Sequence, residues 1–428
     1  MNNPIPILGG VRTPFVKAGG VFRTLATEDL GAIVVREALA RTGLRPDDVD
    51  ALVAGNVGQP AGAQNVARVI GLLGGLPARV PAVTVHRNCA SGLEAVSHAA
   101  DLIRLGRARV VVAVGVESMS SYPIHMNDAA TAWFAAMARA KSFGAKLATL
   151  ARWRPGFLAP KPAILAGLKD PVSGLGMGEA ADRVAREWDI GRAACDAWAA
   201  ESHRRAAAAR ARRADEIVPV ATPSGLIRDD DGIRADSTPE ALARLAPRFD
   251  RVHGLSTAGN SSQISDGACA LVLVSKEFLA ERGLSPAGYL ENTAVAALEP
   301  ERFALGPLFA VDALHRGVPI PWETYDRVEI NEAFAAQMLA CIAAAGDAAF
   351  ARTRFGRQGA LGAIPADRLN PDGGAIALGH PVGASGARLV LGALHALERD
   401  GGRRALVALC VGGGLGMAAV VGRGDFAR

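Results

Sequence analysis

Apolar residues recur along the chain in two patterns, which predict two kinds of secondary structure. Continuous apolar runs such as "PAVTV" (residues 81–85), "VVVAVG" (110–115) and "ALVALC" (405–410) indicate short strands that are covered on both faces. Segments such as "ASGLEAVSHAADLIRLG" carry apolar residues three and four positions apart, which is the spacing of an amphipathic helix. Strands and helices that alternate in this way predict an α/β protein with mostly parallel sheets.

The order of these elements occurs twice in the chain. The stretches that begin at Ala90 and at Ala384 both run from "ASG" through an amphipathic helix to a buried strand. With one inserted residue, Gly106 matches Gly401 and the strand at 110–115 matches the strand at 405–410. We therefore expect a duplicated fold, with functional groups at strand ends and helix starts.

Chain length and a change of pattern predict the domain boundaries. At 428 residues the chain is longer than a typical single domain. From about residue 120 to 253, isolated helices and Pro-rich or acidic turns replace the alternation. The expected division is an N-terminal half (1–119), an inserted loop domain (120–263), a return segment of the N-terminal half (264–286) and a C-terminal half (287–428).

One stretch of the loop domain, Ala132–Arg154, is basic and amphipathic. Apolar or small residues recur at helical spacing, and the five charged residues are all cations: Arg139, Lys141, Lys146, Arg152 and Arg154. Two interpretations stay open from the sequence. The stretch either packs as a helix on its own domain or contacts a membrane surface or a partner subunit as a basic amphipathic hairpin.

Composition excludes several classes of protein. The net charge is +5, yet only 5% of residues are aromatic and no basic–aromatic module occurs, which argues against nucleic-acid binding. No apolar run has the length of a membrane span. The five cysteines are widely spaced without a CxxC pair, which predicts neither a disulfide framework nor a metal site. A reducing compartment fits them, and no targeting signal is recognisable, so we expect a cytoplasmic protein.

The stretch "VHRNCASG" places Cys89 between a predicted strand and a helix that begins near Ser91. A thiol beside the unpaired N–H groups of a helix start is expected to have a lowered pKa and to act as a nucleophile. The alternative is a small buried core residue, the commoner role of a free cysteine.

Three further motifs carry polar groups at predicted strand ends or helix starts. His380 is the histidine that lies in a glycine-rich turn, "GGAIALGHPVGASG", where it can serve as a base for a nearby nucleophile. Cys410 ends a strand that runs into three glycines, and the internal match brings it near Cys89. Asn331 in "VEINEAF" is either a helix cap or an amide that positions water.

Taken together, these motifs resemble the thiolase family over the whole chain. "NCASG", "GLSTAGNSSQISDGA", "NEAFA", "GHPVGASG" and "CVGGGLG" match the blocks of that family in its order. The resemblance implies the thiolase fold, in which two βαβαβ-type halves form five layers, α-β-α-β-α, with an inserted loop domain. It also implies the activity of an acyltransferase that cleaves 3-ketoacyl-CoA with coenzyme A, or runs the reverse condensation.

The resemblance implies a role for each residue of the site. Cys89 is the nucleophile that becomes acylated, His380 activates it and donates to an oxyanion, and Cys410 is the general acid and base. Asn331 holds a water of the oxyanion hole, and the backbone N–H of Gly412 is a further donor. Coenzyme A is expected as a co-substrate, with no permanently bound cofactor, and its contacts are expected at Ser262, Arg234, Met177, Ala258 and Phe334.

The loop segments narrow the resemblance toward the β-subunit of the fatty-acid trifunctional enzyme and its bacterial relatives, and so toward β-oxidation. A homodimer or homotetramer is implied, with a hydratase/dehydrogenase as a further partner. Asn331 departs from that pattern, since those β-subunits usually carry His there. Gly176 is a second departure, since short-chain thiolases often have His at that position. The rival interpretations are a ketosynthase, which would lack the second cysteine, and a non-catalytic thiolase-like protein that binds CoA or lipid.

Overall fold

The molecule is described from a computed structural model, which covers residues 3–315, 318 and 320–424. The strands in these residues are β1 (Ile5–Arg12), β2 (Val16–Lys17), β3 (Ala51–Gly55), β4 (Ala82–Val85), β5 (Val110–Ser118), β6 (Ile124–Met126), β7 (Pro160–Pro162), β8 (Val220–Thr222), β9 (Gly225–Ile227), β10 (Ser265–Val274), β11 (Gly288–Ala297), β12 (Arg327–Ile330), β13 (Arg404–Val411) and β14 (Leu415–Gly422). The α-helices are α1 (Thr27–Thr42), α2 (Val66–Leu73), α3 (Ser91–Arg104), α4 (Asp128–Arg139), α5 (Phe143–Leu150), α6 (Ala163–Gly167), α7 (Met177–Arg186), α8 (Arg192–Ala208), α9 (Pro239–Ala243), α10 (Lys276–Arg282), α11 (Gly306–His315), α12 (Ala335–Gly346), α13 (Ala348–Phe355), α14 (Ala375–Leu378) and α15 (Ser385–Asp400).

The predicted duplication is visible in the strand order of the main sheet. One continuous sheet runs β12-β13-β14-β11-β1-β10-β5-β3-β4. On the N-terminal side β5 is parallel to β3 and antiparallel to β10, and on the C-terminal side β13 is parallel to β12 and antiparallel to β14. A short antiparallel pairing of β1 with β11 joins the two halves. The α/β fold with two equivalent halves is therefore confirmed.

The expectation of mostly parallel sheets was wrong. Among the described strands of the main sheet, three of the nine pairings are parallel and six are antiparallel. Strand β10 is buried at every position although both of its long neighbours are antiparallel to it. A continuous apolar run therefore reports that both faces of a strand are covered, and it does not report the direction of the neighbouring strands.

Helices α3 and α15 form the central layer between the two halves of the sheet. Their apolar faces share one core with strands from both halves, while α1 and α2 cover the outer face of the N-terminal half and α11 and α12 that of the C-terminal half. The two central helices meet at their glycine-rich starts, where a Cβ on Gly92 would lie 2.7 Å from the carbonyl oxygen of Gly383. This close approach brings the start of α3 against the turn that precedes α15.

The basic stretch of the loop domain forms a helical hairpin that stands away from the cores. Helices α4 and α5 are joined by a hydrogen bond of 2.7 Å from Trp133 Nε1 to the carbonyl oxygen of Thr149. No residue from 131 to 169 is buried, so the interpretation of a helix packed on its own domain was wrong. By contrast, α7 and α8 of the same loop domain belong to the core of the C-terminal half. The domain boundaries remain a prediction.

Candidate active site

Cys89 lies in a tight turn that links strand β4 to helix α3. Asn88 adopts a left-handed backbone conformation, with φ of 42°, which asparagine tolerates better than most residues. The Ser91 hydroxyl donates to the Asn88 carbonyl at 2.7 Å and accepts from the Arg87 N–H at 2.9 Å. Asn88 Nδ2 donates to the carbonyl oxygen of Gly412 at 2.7 Å, so the turn is bonded directly to the other half of the molecule.

Cys410 and Gly412 come to Cys89 from the end of strand β13. The N–H of Gly412 lies near enough to the Cys89 thiol to act against the rise of its pKa. Cys410 is fully buried, and a charge on Cys89 would raise its pKa, which means that the two sulfur groups are close enough to interact. The structure thus brings together the two cysteines that the internal sequence match predicted to lie near each other.

Burial raises the pKa of both thiols. For Cys89, burial is the largest effect; the N–H groups of Gly412 and of Cys89 itself oppose it, and the charge of Glu117 adds to it. For Cys410, burial acts first and the charge of Cys89 second. The prediction that the helix start lowers the pKa of Cys89 was wrong. A helix terminus contributes about 0.3–1 kcal/mol, whereas burial can shift a pKa by up to about 3–5 units. Both thiols are therefore protonated at rest.

His380 lies in the turn between α14 and α15, with one ring nitrogen bonded and the other free. Its Nδ1 is 2.6 Å from the Ser385 hydroxyl, which itself donates to the carbonyl oxygen of Pro381 at 3.1 Å. The hydroxyl must therefore accept from Nδ1–H, and Nε2 carries the lone pair. Nε2 has no partner among the described residues. Burial, with the charge of Arg388, lowers the pKa of His380 to about 3, so the ring is neutral and can accept a proton.

Asn331 follows strand β12 and lies beside the end of β13. Its N–H donates to the carbonyl oxygen of Ala408 at 2.9 Å, and its side chain is completely buried. Neither side-chain polar atom has a partner within the described part of the chain. The next helix begins at Ala335 with Phe334 as its cap, so the helix-cap interpretation was wrong. A buried amide without a protein partner normally binds a water or a ligand.

Four of the five residues expected to contact CoA lie on elements that adjoin one another. A Cβ at Gly412 would be 3.3 Å from Met177 Sδ, which puts Met177 next to Gly412, two residues after Cys410. The loop that carries Ala258 and Ser262 is bonded to the start of α12, because the Ser262 N–H donates to the carbonyl oxygen of Ala333 at 2.9 Å. Phe334 is on the same start of α12.

Arg234, the fifth, lies in a different loop and is exposed. Its N–H donates to His203 Nδ1 at 3.1 Å. The neighbouring Ile233 packs against α14, the short helix that precedes His380. The structure thus gives Arg234 no direct contact with the other expected CoA residues.

Several residues of the site were not anticipated from the sequence. Glu117 is buried at the end of β5, and Asn88 and Ser385 hold Cys89 and His380 in place. Phe249 packs edge-to-face on Phe334, with ring centroids 5.9 Å apart. It also fills the space beside Gly176, where a Cβ would be 3.2 Å from its ring. Only Glu117 left a signal in the sequence, as an acidic residue within an otherwise apolar strand.

Two interacting thiols, a neutral imidazole with an unpaired nitrogen and an unpaired buried amide are groups suited to acyl transfer through a cysteine. Comparison with known proteins narrows this class. The profile described as "Thiolase, N-terminal domain" matches residues 5–277, and "Thiolase, C-terminal domain" matches residues 284–423. The chain belongs to the thiolase family and is an acyltransferase.

Curated relatives and solved structures agree with this assignment. A 3-ketoacyl-CoA thiolase of Yersinia enterocolitica is 37% identical over 97% of this chain and 96% of its own length. The beta-ketothiolase BktB of Cupriavidus necator is 38% identical over 99% of this chain and 100% of its own. The crystal structure of human mitochondrial 3-ketoacyl-CoA thiolase in complex with CoA is 30% identical, with a TM-score of 0.83 over 98% of both chains. That of the Bacillus anthracis acetyl-CoA acetyltransferase is 33% identical, with a TM-score of 0.85 over 99% of both.

Proposed function

We propose that the enzyme cleaves 3-ketoacyl-CoA with coenzyme A, giving acetyl-CoA and a shortened acyl-CoA, by a ping-pong mechanism. The observation that carries this proposal is the pair of thiols, Cys89 and Cys410, which come from the two halves of the molecule and are close enough to interact. One thiol can accept the acyl group while the other donates a proton to the leaving enolate. A site with a single cysteine could not divide the two tasks in this way.

In the first half-reaction, Nε2 of His380 takes the proton of Cys89, and the thiolate attacks the 3-keto carbon of the substrate. The C2–C3 bond then breaks, which leaves the acyl group on Cys89 and the electron pair on the enolate of acetyl-CoA. Cys410 gives its proton to the enolate carbon, and acetyl-CoA leaves. The imidazole of His380 is neutral and its Nε2 has no partner among the described residues, which fits this first step.

In the second half-reaction, the Cys410 thiolate takes the proton of incoming CoA. The CoA thiolate attacks the acyl carbon, and Cys89 leaves and recovers its proton from His380. Negative oxygens develop in both half-reactions. The N–H groups of Cys89 and Gly412 are the donors to the tetrahedral oxyanion, and protonated His380 with a water on Asn331 are the donors to the enolate oxygen.

The assay that tests this function is CoA-dependent cleavage of acetoacetyl-CoA and of a long-chain 3-ketoacyl-CoA in parallel. The wild type should cleave, Cys89→Ala should not, and Cys195→Ala, which removes a buried free thiol of helix α8, should cleave normally. The preferred chain length decides between β-oxidation, which we favour, and short-chain biosynthesis. If the wild type binds CoA without cleaving either substrate, the non-catalytic alternative is correct.

We further propose that residues 131–169, called the basic segment, contact an anionic membrane surface. The segment has seven lysines and arginines and no acidic residue. Seven of its large apolar side chains are exposed, among them Phe143 at 83% and Leu158 at 74%. Asp128, just before the segment, pairs with Lys161 at 3.0 Å. Exposed apolar groups among an excess of cations suit an interface with acidic lipid headgroups. Among the described residues, no helix has the length and apolar composition needed to cross a bilayer.

Co-sedimentation with vesicles tests this surface. The wild type should sediment with vesicles that contain phosphatidylglycerol and remain free with phosphatidylcholine alone. Phe143→Ser with Leu147→Ser, or Lys141→Gln with Lys146→Gln, should abolish the binding, whereas Leu105→Ser, an exposed apolar residue elsewhere, should not. If the wild type ignores both lipids but co-elutes with a hydratase/dehydrogenase or forms a larger homo-oligomer through this segment, the membrane proposal is wrong.

A further inference from the structure

Glu117 is a buried carboxylate that none of the steps above uses. It lies near the end of strand β5, where every residue is buried, and its own side chain is inaccessible to solvent. A carboxylate in such a place is costly unless hydrogen bonds compensate for the lost water. The donors around it therefore indicate what the residue does.

Four N–H groups from two separate loops converge on the Glu117 carboxylate. Three come from the loop after strand β3: the N–H of Val57 at 3.0 Å, the N–H of Gly58 at 2.9 Å and Nδ2 of Asn56 at 3.1 Å. The fourth is the N–H of Gly383, at 3.0 Å. Because Gly383 is in the C-terminal half, this carboxylate bonds the two halves of the molecule together.

The bond to Gly383 reaches the turn that carries His380. Gly383 is three residues after His380 and two residues before Ser385, which begins helix α15 and orients the imidazole. A Cβ at Gly383 would lie 2.7 Å from a carboxylate oxygen of Glu117, so the turn and the carboxylate are in direct contact. The carbonyl oxygen of Gly383 in turn packs on Gly92, in the first turn of the helix that follows Cys89.

We propose that Glu117 is a positioning residue of the reaction: its ionised carboxylate fixes the His380 turn against the loop at 56–58 and against the start of the helix behind Cys89. Only an ionised carboxylate can accept all four N–H groups, because a carboxylic acid or an amide would direct a hydrogen atom at one of the donors. This proposal rests on the thiolase function, since it concerns the base of that reaction.

The titration of Cys89 distinguishes this role from a merely structural one. The negative charge of Glu117 adds to the raised pKa of Cys89, and the Tyr122 hydroxyl is the other titratable group next to both. Cys410 also interacts with Cys89, and His380 is the further titratable group that the proposed mechanism places at its thiol. Burial raises the pKa of Glu117 itself to about 7, so its charge changes in the working range of pH.

The test is Glu117→Gln, compared with Asp266→Asn as a matched control. Asp266 is a buried carboxylate on the neighbouring strand β10 that accepts the N–H of Ser120 at 2.8 Å, and its hydrogen bonds within the described residues go to Ser120 rather than to the His380 turn. Glu117→Gln should lower kcat by about tenfold or more, toward the ~10²-fold cost of a 1 Å misplacement, with KM for CoA nearly unchanged. Its midpoint for alkylation of Cys89 by iodoacetamide should move to lower pH.

Asp266→Asn should leave both the turnover and the alkylation midpoint as in the wild type. Should Glu117→Gln fail to fold, Asn56→Ala removes one of the four donors, and the acid limb of kcat should then move to higher pH because the carboxylate ionises less readily. Wild-type turnover and alkylation in Glu117→Gln, or an equal loss in both carboxylate variants, would overturn the proposal. Alkylation of Cys89 needs no turnover. If the wild type is inactive and Glu117→Gln still shifts the pH midpoint of alkylation, the thiolase function alone is refuted.

Discussion

The bond between His380 and Ser385 gives the sharpest prediction about the base. Ser385→Ala removes the hydroxyl that lies 2.6 Å from Nδ1 and leaves a buried N–H without an acceptor. The bond matters most when the ring is protonated, because a hydrogen bond to a charged group contributes about 1.5–3 kcal/mol. Since about 1.36 kcal/mol corresponds to a factor of ten in rate, we expect acylation of Cys89 to slow by roughly 10- to 150-fold.

The assay is single-turnover acylation of Cys89, followed by mass spectrometry of the intact protein after rapid mixing with substrate. Ser275→Ala is a suitable control, because it removes the capping hydroxyl of helix α10, which begins after the C-terminal end of strand β10. Loss of a cap costs about 1 kcal/mol of stability. The control therefore lowers the stability of the protein without changing any contact of His380. Acylation by Ser385→Ala at the wild-type rate would refute the tautomer assigned to His380.

Three other perturbations test separate parts of the structure. Asn331→Ala should slow thiolysis by about 10²–10³-fold through loss of an oxyanion donor, yet exchange of labelled CoA into acetyl-CoA, which forms no enolate, should stay within a few-fold of wild type. Gly386→Ala should lower the unfolding free energy by about 1–3 kcal/mol in urea titrations, because the new Cβ would overlap the N–H of Leu93; a neutral result would mean that the central helices can separate. The pKa of His380 is about 3 when folded and about 6.5 when unfolded, so the unfolded chain binds the extra proton between these values and stability falls as the pH drops through this window. His380→Asn should reduce that fall by on the order of 1 kcal/mol per pH unit, and identical slopes in the two proteins would contradict the buried neutral ring.

The sequence predicted the residues of the site better than their environment. Cys89, His380, Cys410 and Asn331 could be singled out as polar groups at strand ends or in glycine-rich turns, and the resemblance to thiolases supplied their roles, which stay predictions. The direction of the thiol pKa shift could not be predicted, because it depends on burial in the folded molecule, where the Cys89 turn is bonded to Gly412 of the other half. The exposure of the basic segment was equally inaccessible, since an amphipathic pattern is the same whether or not a partner covers its apolar face.

The two halves share a strand order, yet the site is asymmetric, and the packing explains why. In the internal sequence match, Gly115 of β5 corresponds to Cys410 of β13. A Cβ at Gly115 would lie 2.7 Å from the carbonyl oxygen of Gly383 and 3.1 Å from Cα of Gly92, so no side chain fits there. The turn that carries His380 occupies the space that a second copy of the Cys410 thiol would need. One duplicated position therefore keeps its cysteine and the other must be glycine, and a chain with two such halves can build a single two-thiol site.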